Sequence, residues 1–259
     1  MKKRKLYIGT SGWIYSHWEE IFYPKELPSK DRLKYFSSYF NTTEINYSFY
    51  HLPRALTYEK WYQQTPKDFV FSVKASRFIT HIKRFKGVKM AWKKFLQNAL
   101  HLKEKLGPIL FQFPPSFQAT NENIKRLEEF LKFIRANSRF DSRKFREYAF
   151  EFRHSSWCKK EIYKLLEKYN TAWVIADSKR YPKEEVCTSD FVYIRMHGPG
   201  ELFASKYSDL QIKELSDLIK KYLKNNKKVY VYFNNDFYGY AIENAKLLIN
   251  LLKEYYVFP

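Results

Sequence analysis

Four polar side chains fall where short apolar runs of this chain end, and their types suit a reaction centre. Glu151, Asp177, His197 and Asn235 follow the runs Tyr148–Phe150, Ala172–Ala176, Phe191–Ile194 and Val229–Phe233. Glu44, inside the run Thr42–Ile45, belongs with them. Carboxylates and an imidazole can do general acid/base work. Glu44, Glu151, Asp177 and His197 are therefore the candidate catalytic set. The same types can hold a divalent metal, and one such ion is the cofactor they would take. Asn is a poor zinc ligand, so a metal-free polar pocket is the favoured reading and no residue is assigned as a metal ligand. Each member also has a plainer role. Glu151 can pair with Arg153 or Arg195, and His197, ahead of Gly198-Pro199-Gly200, can cap a turn.

A second set is cationic: Lys74, Arg77, His81, Lys83, Arg84, Arg153 and Arg195. Lys74 ends an apolar run, where a charge is costly unless paired or used. Arginine is the favoured fork for phosphate or carboxylate. The alternative is that Lys74 and Arg195 neutralise Glu44, Glu151 and Asp177 within the same pocket. A third set is aromatic. Trp13, Tyr15 and Tyr50 are candidates to stack on a base or sugar, whereas Phe22 and Phe49 read as packing. Asn46, Gln112 and Asn234 add amides at run ends.

Eight apolar runs carry these groups. The other four are Leu6–Gly9, Phe69–Val73, Ile109–Phe111 and the Thr42–Ile45 run already named. Most are separated by segments with helical periodicity, which predicts a single TIM-type (β/α)8 barrel domain over residues 1–259. Function in that fold gathers at the C-terminal strand ends, where the polar residues lie. Helices are expected near Val88–Leu106, with Gly107 as its cap, and over Asn121–Ala136, Lys159–Tyr169, Ser208–Asn225 and Tyr240–Glu254. The stretch between Ala176 and Phe191 has no apolar stripe, so the sixth helix is missing or minimal.

The bulk numbers narrow the partners. With 47 Lys+Arg against 27 Asp+Glu, the 259-residue chain carries a formal charge of +20, which points to nucleic acid or another phosphate-containing ligand. Lysines spread over nearly every helix offer a solvated surface as the alternative. No apolar stretch is long enough to span a membrane, no membrane partner is expected, and the N-terminus lacks the features of a signal peptide. Two cysteines, Cys158 and Cys187, make no framework, so the expected location is cytoplasmic. There is no Walker-type loop, GxGxxG, HExxH or GxSxG motif.

Taken together, several segments resemble one family. They are GTSGWIY, TTEINYSFY, FSVKAS, ITH at 79–81, KLGPILFQFPPSF, EFRHSSW, YIRMHG, FNND and GYAIENA. The chain resembles the domain of unknown function 72 family (DUF72, YecE-like) over nearly its whole length. That resemblance implies a TIM-type barrel and no particular reaction. The implied barrel is similar to the xylose isomerase-like group, which includes endonuclease IV, but this chain lacks the ligands of a three-zinc centre. The reading is a barrel that binds a phosphate-containing or nucleic-acid ligand at its mouth, with phosphodiester hydrolysis as the leading class if it is an enzyme. The rival readings are a sugar-type isomerase or lyase and a non-enzymatic binding protein.

Overall fold

The structure, a computed structural model, describes residues 5–136 and 146–259. Its eight strands are β1 (Leu6–Thr10), β2 (Thr42–Ile45), β3 (Val70–Lys74), β4 (Leu106–Gln112), β5 (Tyr148–Glu151), β6 (Ala172–Asp177), β7 (Phe191–Met196) and β8 (Lys228–Phe233). They form one parallel sheet in the order β1-β8-β7-β6-β5-β4-β3-β2. The sheet curls until β1 meets β2, and side chains close this seam. The Ile8 amide donates to Asn41 Oδ1 (3.1 Å), and Asn41 Nδ2 donates to the Leu6 carbonyl (3.0 Å). The Thr43 hydroxyl donates to the Thr10 carbonyl at 3.0 Å. The strands come so close that a Cβ on Gly9 would lie 1.9 Å from the Thr42 carbonyl oxygen, so only glycine fits.

The helices that cover the outer face are α1 (Arg32–Phe36), α2 (Tyr47–Tyr50), α3 (Ala55–Gln63), α4 (Lys89–Ala99), α5 (Asn121–Ala136), α6 (Lys160–Lys168), α7 (Asp209–Lys224) and α8 (Tyr240–Leu251). They bury aromatic and aliphatic stripes against the outward strand residues, as with Leu127, Phe130, Leu131 and Ile134 of α5. Ser208 caps α7, and Gln211 completes the capping box. No helix separates β6 from β7. No helix among the described residues is long and apolar enough to cross a membrane.

One boundary departs from the sequence expectation. The helix expected to reach Leu106 ends at Ala99, tight turns span Leu100–Lys105, and Lys103 takes φ +50°. Gly107 is not a helix cap; it lies with Pro108 inside β4. A Cβ on Gly107 would come within 2.4 Å of Val70, so its place is set by strand contact. Pro108, which has no N–H to give, falls where the β3–β4 register shifts.

Candidate functional site

Strand parity decides which of the strand-end groups meet. Side chains alternate between the barrel interior and the helical layer. The interior cluster includes Leu110, Ala149, Ala176, Tyr193 and Tyr232. One step of two residues toward the mouth reaches Gln112, Glu151, Arg195 and Asn234. Polar rungs lead upward to them. Thr42 and Tyr232 share a hydroxyl pair at 2.8 Å, and Ser72 and Tyr193 share one at 2.6 Å. Tyr193 then donates to Glu44 Oε2 at 2.6 Å.

Arg195 is the hub of the mouth. Its Nε and Nη2 donate to Glu44 Oε2 and Oε1 at 3.0 and 2.7 Å, and its Nη1 donates to Glu151 Oε2 at 2.6 Å. All three side chains are buried. The remaining oxygen of Glu151 accepts from Arg153 Nε at 2.7 Å and lies 3.6 Å from His197 Nε2. Ser11 donates to Glu44 Oε1 at 2.9 Å. Burial pushes the Glu44 carboxyl upward, but Arg195 and the Tyr193 hydrogen bond outweigh it and hold it below the usual range. Burial likewise opposes ionisation of Glu151, and Arg195, Arg153 and His197 hold it well below. Burial also lowers His197, only partly offset by Glu151, so its imidazole is neutral near pH 7. Its Nδ1 faces Asn234 Oδ1 at 3.1 Å. Directly after it, Gly198 at φ +109° turns the chain off the barrel; a Cβ there would lie 2.8 Å from the Glu201 carbonyl oxygen.

Beside this paired centre is an unpaired corner. Lys74, at the inner end of β3, has its Nζ 4.1 Å above the Phe49 ring. Among the described residues its amine has no hydrogen-bond or ion-pair partner, and no atom of it is sealed from solvent as an orphan. Burial, then Arg195 and Arg153, lower its pKa to about 7 against the pull of Glu44 and Glu151. His81, on the irregular helical turn Phe78–Ile82, packs edge-on to Phe49 with ring centroids 4.9 Å apart. Burial and then Lys74, Arg153, Arg77 and Arg84 lower it to about 4. Arg84 reaches Ser116 Oγ at 2.9 Å, and Tyr181 lies flat against Arg153 with the guanidinium 4.3 Å from the ring centre.

An apolar cleft of about 660 Å³ opens on the other side of α2. Trp13, Tyr15, Asn46, Tyr47, Arg54 and Trp61 are among its walls. Trp13 is nearly buried and meets Trp61 edge-on at 5.4 Å. Tyr15 turns its hydroxyl inward to the Ser11 carbonyl, and burial, with Asp236 and Glu44, raises its pKa. Asn46 donates to that same carbonyl at 3.2 Å, while its buried Oδ1 has no partner among the described residues. Tyr50 stands apart at 72 % exposure, edge-on to Phe49. The three aromatics read from the sequence as stacking residues thus do not form one platform.

Two of the sequence candidates leave the mouth altogether. Asp177 has the outward parity of Trp173 and Ile175. Its carboxylate accepts from Tyr207 at 2.7 Å and pairs with Lys183 at 2.8 Å, in a groove against α7. Asn235 likewise faces outward and donates to the Ser205 carbonyl and to Asn244 Oδ1, both at 3.0 Å. Gln112 stays inside, donating to the Phe113 carbonyl at 2.7 Å. Glu44 and Glu151 meet, but the guanidinium of Arg195 fills the space a cation would take between them. No group of three or more His, Cys, Asp or Glu side chains suited to a metal occurs among the described residues. Sequence reasoning passed over Tyr193 and Tyr181 and read Phe49 as packing. Tyr193 was findable, since it sits two residues before Arg195 and shares its face.

Comparison with known proteins agrees with this architecture. A family model described as "Protein of unknown function DUF72" matches residues 7–257. UPF0759 protein YunF of Bacillus subtilis (strain 168) is 27 % identical, over 95 % of this chain and 94 % of its own. The crystal structure of a DUF72 family protein from Thermotoga maritima MSB8 superposes with a TM-score of 0.84 at 29 % identity, covering 96 % of this chain and all of that one. A DUF72 family protein from Enterococcus faecalis V583 gives 0.80 at 21 % identity, over 96 % of this chain and 95 % of the other.

Proposed function

This chain belongs to the DUF72 family, and from the charge pattern of its barrel mouth we propose that it binds a phosphate ester of small-molecule or nucleotide size there. One observation carries the reading. Glu44 and Glu151 are matched by Arg195 and Arg153, and Asp236 accepts from Asn234, so Lys74, Arg77 and Arg84 have no carboxylate partner among the described residues. The charges that act most strongly on the His81 ring, those of Lys74, Arg153, Arg77 and Arg84, are positive. An uncompensated positive corner, partly withdrawn from water, attracts an anion more strongly than an exposed lysine does. Arg77 and Arg84 would hold the phosphate. The Phe49 ring beneath Lys74 offers an apolar wall for the rest of the ligand.

Glu44 and Glu151 serve this reading as positioning groups, not as bases. Their oxygens are engaged by guanidinium and hydroxyl donors and are held ionised, which leaves them poor proton acceptors. Phosphodiester hydrolysis therefore gains no base from them.

Calorimetric titration with inorganic phosphate, a nucleoside monophosphate and a single-stranded oligonucleotide at low salt tests the proposal. The monophosphate is expected to bind, with affinity falling as salt rises. Arg77→Gln together with Arg84→Gln should weaken it by about tenfold. Affinity confined to the oligonucleotide would move the ligand class to nucleic acid. No binding of any of the three at low salt would overturn the proposal.

A further inference from the structure

We infer that Lys74 is a nucleophilic amine that forms an imine with a carbonyl compound carrying a phosphate, a role that rests on the anion-binding reading of the same mouth. The geometry is specific. Lys74 has the inward parity of β3 and stands at its C-terminal end, where the barrel opens. Its Nζ lies 4.1 Å above the Phe49 ring, so one side of the amine is walled by an apolar face. The two carboxylates that act on it, Glu44 and Glu151, are both committed to Arg195. A lysine meant only as structural ballast would take one of them. Here the guanidinium does so, and the amine stays unpaired and reachable.

Electrostatics supports what the geometry offers. Burial and the flanking guanidiniums of Arg195 and Arg153 bring the amine to about 7, so half of it carries a free lone pair at neutral pH. His81, Glu44 and Glu151 are the other titratable groups around it, and Glu44 and Glu151 act against the shift. A surface lysine, by comparison, is almost wholly ammonium.

The step balances without a further reagent. The nitrogen lone pair attacks the carbonyl carbon, a C–N bond forms and the carbonyl oxygen becomes a hydroxyl. The C–O bond then breaks, and the two amine hydrogens leave with the oxygen as water. The product is the imine, with Arg77 and Arg84 to hold the phosphate. A bound phosphate also raises the amine's pKa, so phosphorylated substrates should react with a higher pH midpoint than uncharged ones.

The test is trapping with cyanoborohydride. The whole protein is incubated with dihydroxyacetone phosphate, or with uncharged dihydroxyacetone, and the adducts are located by peptide mass mapping. Lys74 is expected to be modified at least about tenfold faster than the surface lysines near pH 7, because their free-base fraction is far smaller. The rate should rise between about pH 6 and 8. Lys74→Arg should abolish the adduct while retaining calorimetric phosphate binding. Adducts spread over surface lysines, with Lys74 no faster, would overturn the imine role. Phosphate binding that persists in that case leaves the anion site standing, whereas loss of both would remove the site itself.

Discussion

The Glu44–Arg195–Glu151 centre and the Lys74 corner share one barrel mouth and treat buried charge in opposite ways. In the first, a guanidinium satisfies two carboxylates through short hydrogen bonds, and Tyr193 and Ser11 take further lone pairs. In the second, an amine rests on an aromatic ring, and the carboxylates that act on it are bonded to Arg195 instead. Removing one partner of a fully paired buried charge is strongly destabilising. A buried charge left unpaired is a standing cost, which a fold keeps only where chemistry or a ligand uses it. On the proposed reading Arg195 is scaffolding and Lys74 meets the ligand, although both sit at strand ends and both carry positive charge.

The sharpest way to break this contrast is Arg195→Met. It leaves the buried Glu44 carboxylate without its cation and Glu151 with Arg153 alone, and the expected loss is about 3–5 kcal/mol. For a chain of this size that is a fall in Tm of about 6–20 °C, read by thermal or denaturant unfolding. The sign with pH follows from the groups left behind. In the wild type both carboxyls titrate below their unfolded value of 4.5, so their stabilisation is present above it and is lost as the pH falls below it. In the variant Glu44, left without its guanidinium, is raised by burial and gains from protonation. The deficit should therefore be largest near pH 7 and shrink toward pH 4. A deficit under about 1 kcal/mol would mean that the centre is not scaffolding.

Lys74→Met should act with the opposite sign, stabilising the fold by about 1–3 kcal/mol while removing phosphate-ester trapping. In the fold the amine titrates at about 7 against 10.5 unfolded. Below 7 both states are protonated and the fold carries the full penalty. As the pH rises from 7 to 10.5 that penalty is relieved. The advantage of the variant is thus greatest at or below pH 7 and fades toward pH 10.5, which denaturant unfolding at several pH values would show. A destabilised variant at neutral pH would make Lys74 a structural residue and erase the distinction drawn here.

The barrel was legible because its signal repeats. Each of the eight apolar runs became a strand, and the bare stretch between β6 and β7 has no helix. Gly107-Pro108 misled because local cap chemistry and strand contact favour the same residues, and only the neighbouring Val70 decides between them. The mouth was legible residue by residue, not as a group. Glu151 was read as free to pair with Arg153 or Arg195, and it pairs with both. Which cation would take the carboxylates was beyond the sequence, since it depends on Arg195 reaching across the barrel from β7 to Glu44 on β2. Phe49 looked like packing because an aromatic beneath an amine carries no pattern in one dimension.

Asp177 supplies the smallest and most discriminating prediction, because it separates position from orientation. It ends β6 as Glu151 ends β5, and a list of strand-end carboxylates treats the two alike. The pleat does not. Counting by twos from Ala172 and Ala176, which face the interior, puts Asp177 on the outer face with Trp173 and Ile175. There it holds Tyr207 and the partly exposed Lys183. Asp177→Asn keeps an acceptor for the tyrosine and loses only a solvent-screened ion pair, for which about 0.2–1 kcal/mol is expected. Phosphate affinity and the rate of Lys74 trapping should stay at wild-type values. A tenfold fall in either, measured by the same calorimetry and mass mapping, would bring Asp177 into the mouth and show that strand-end position alone, without parity, had marked the site.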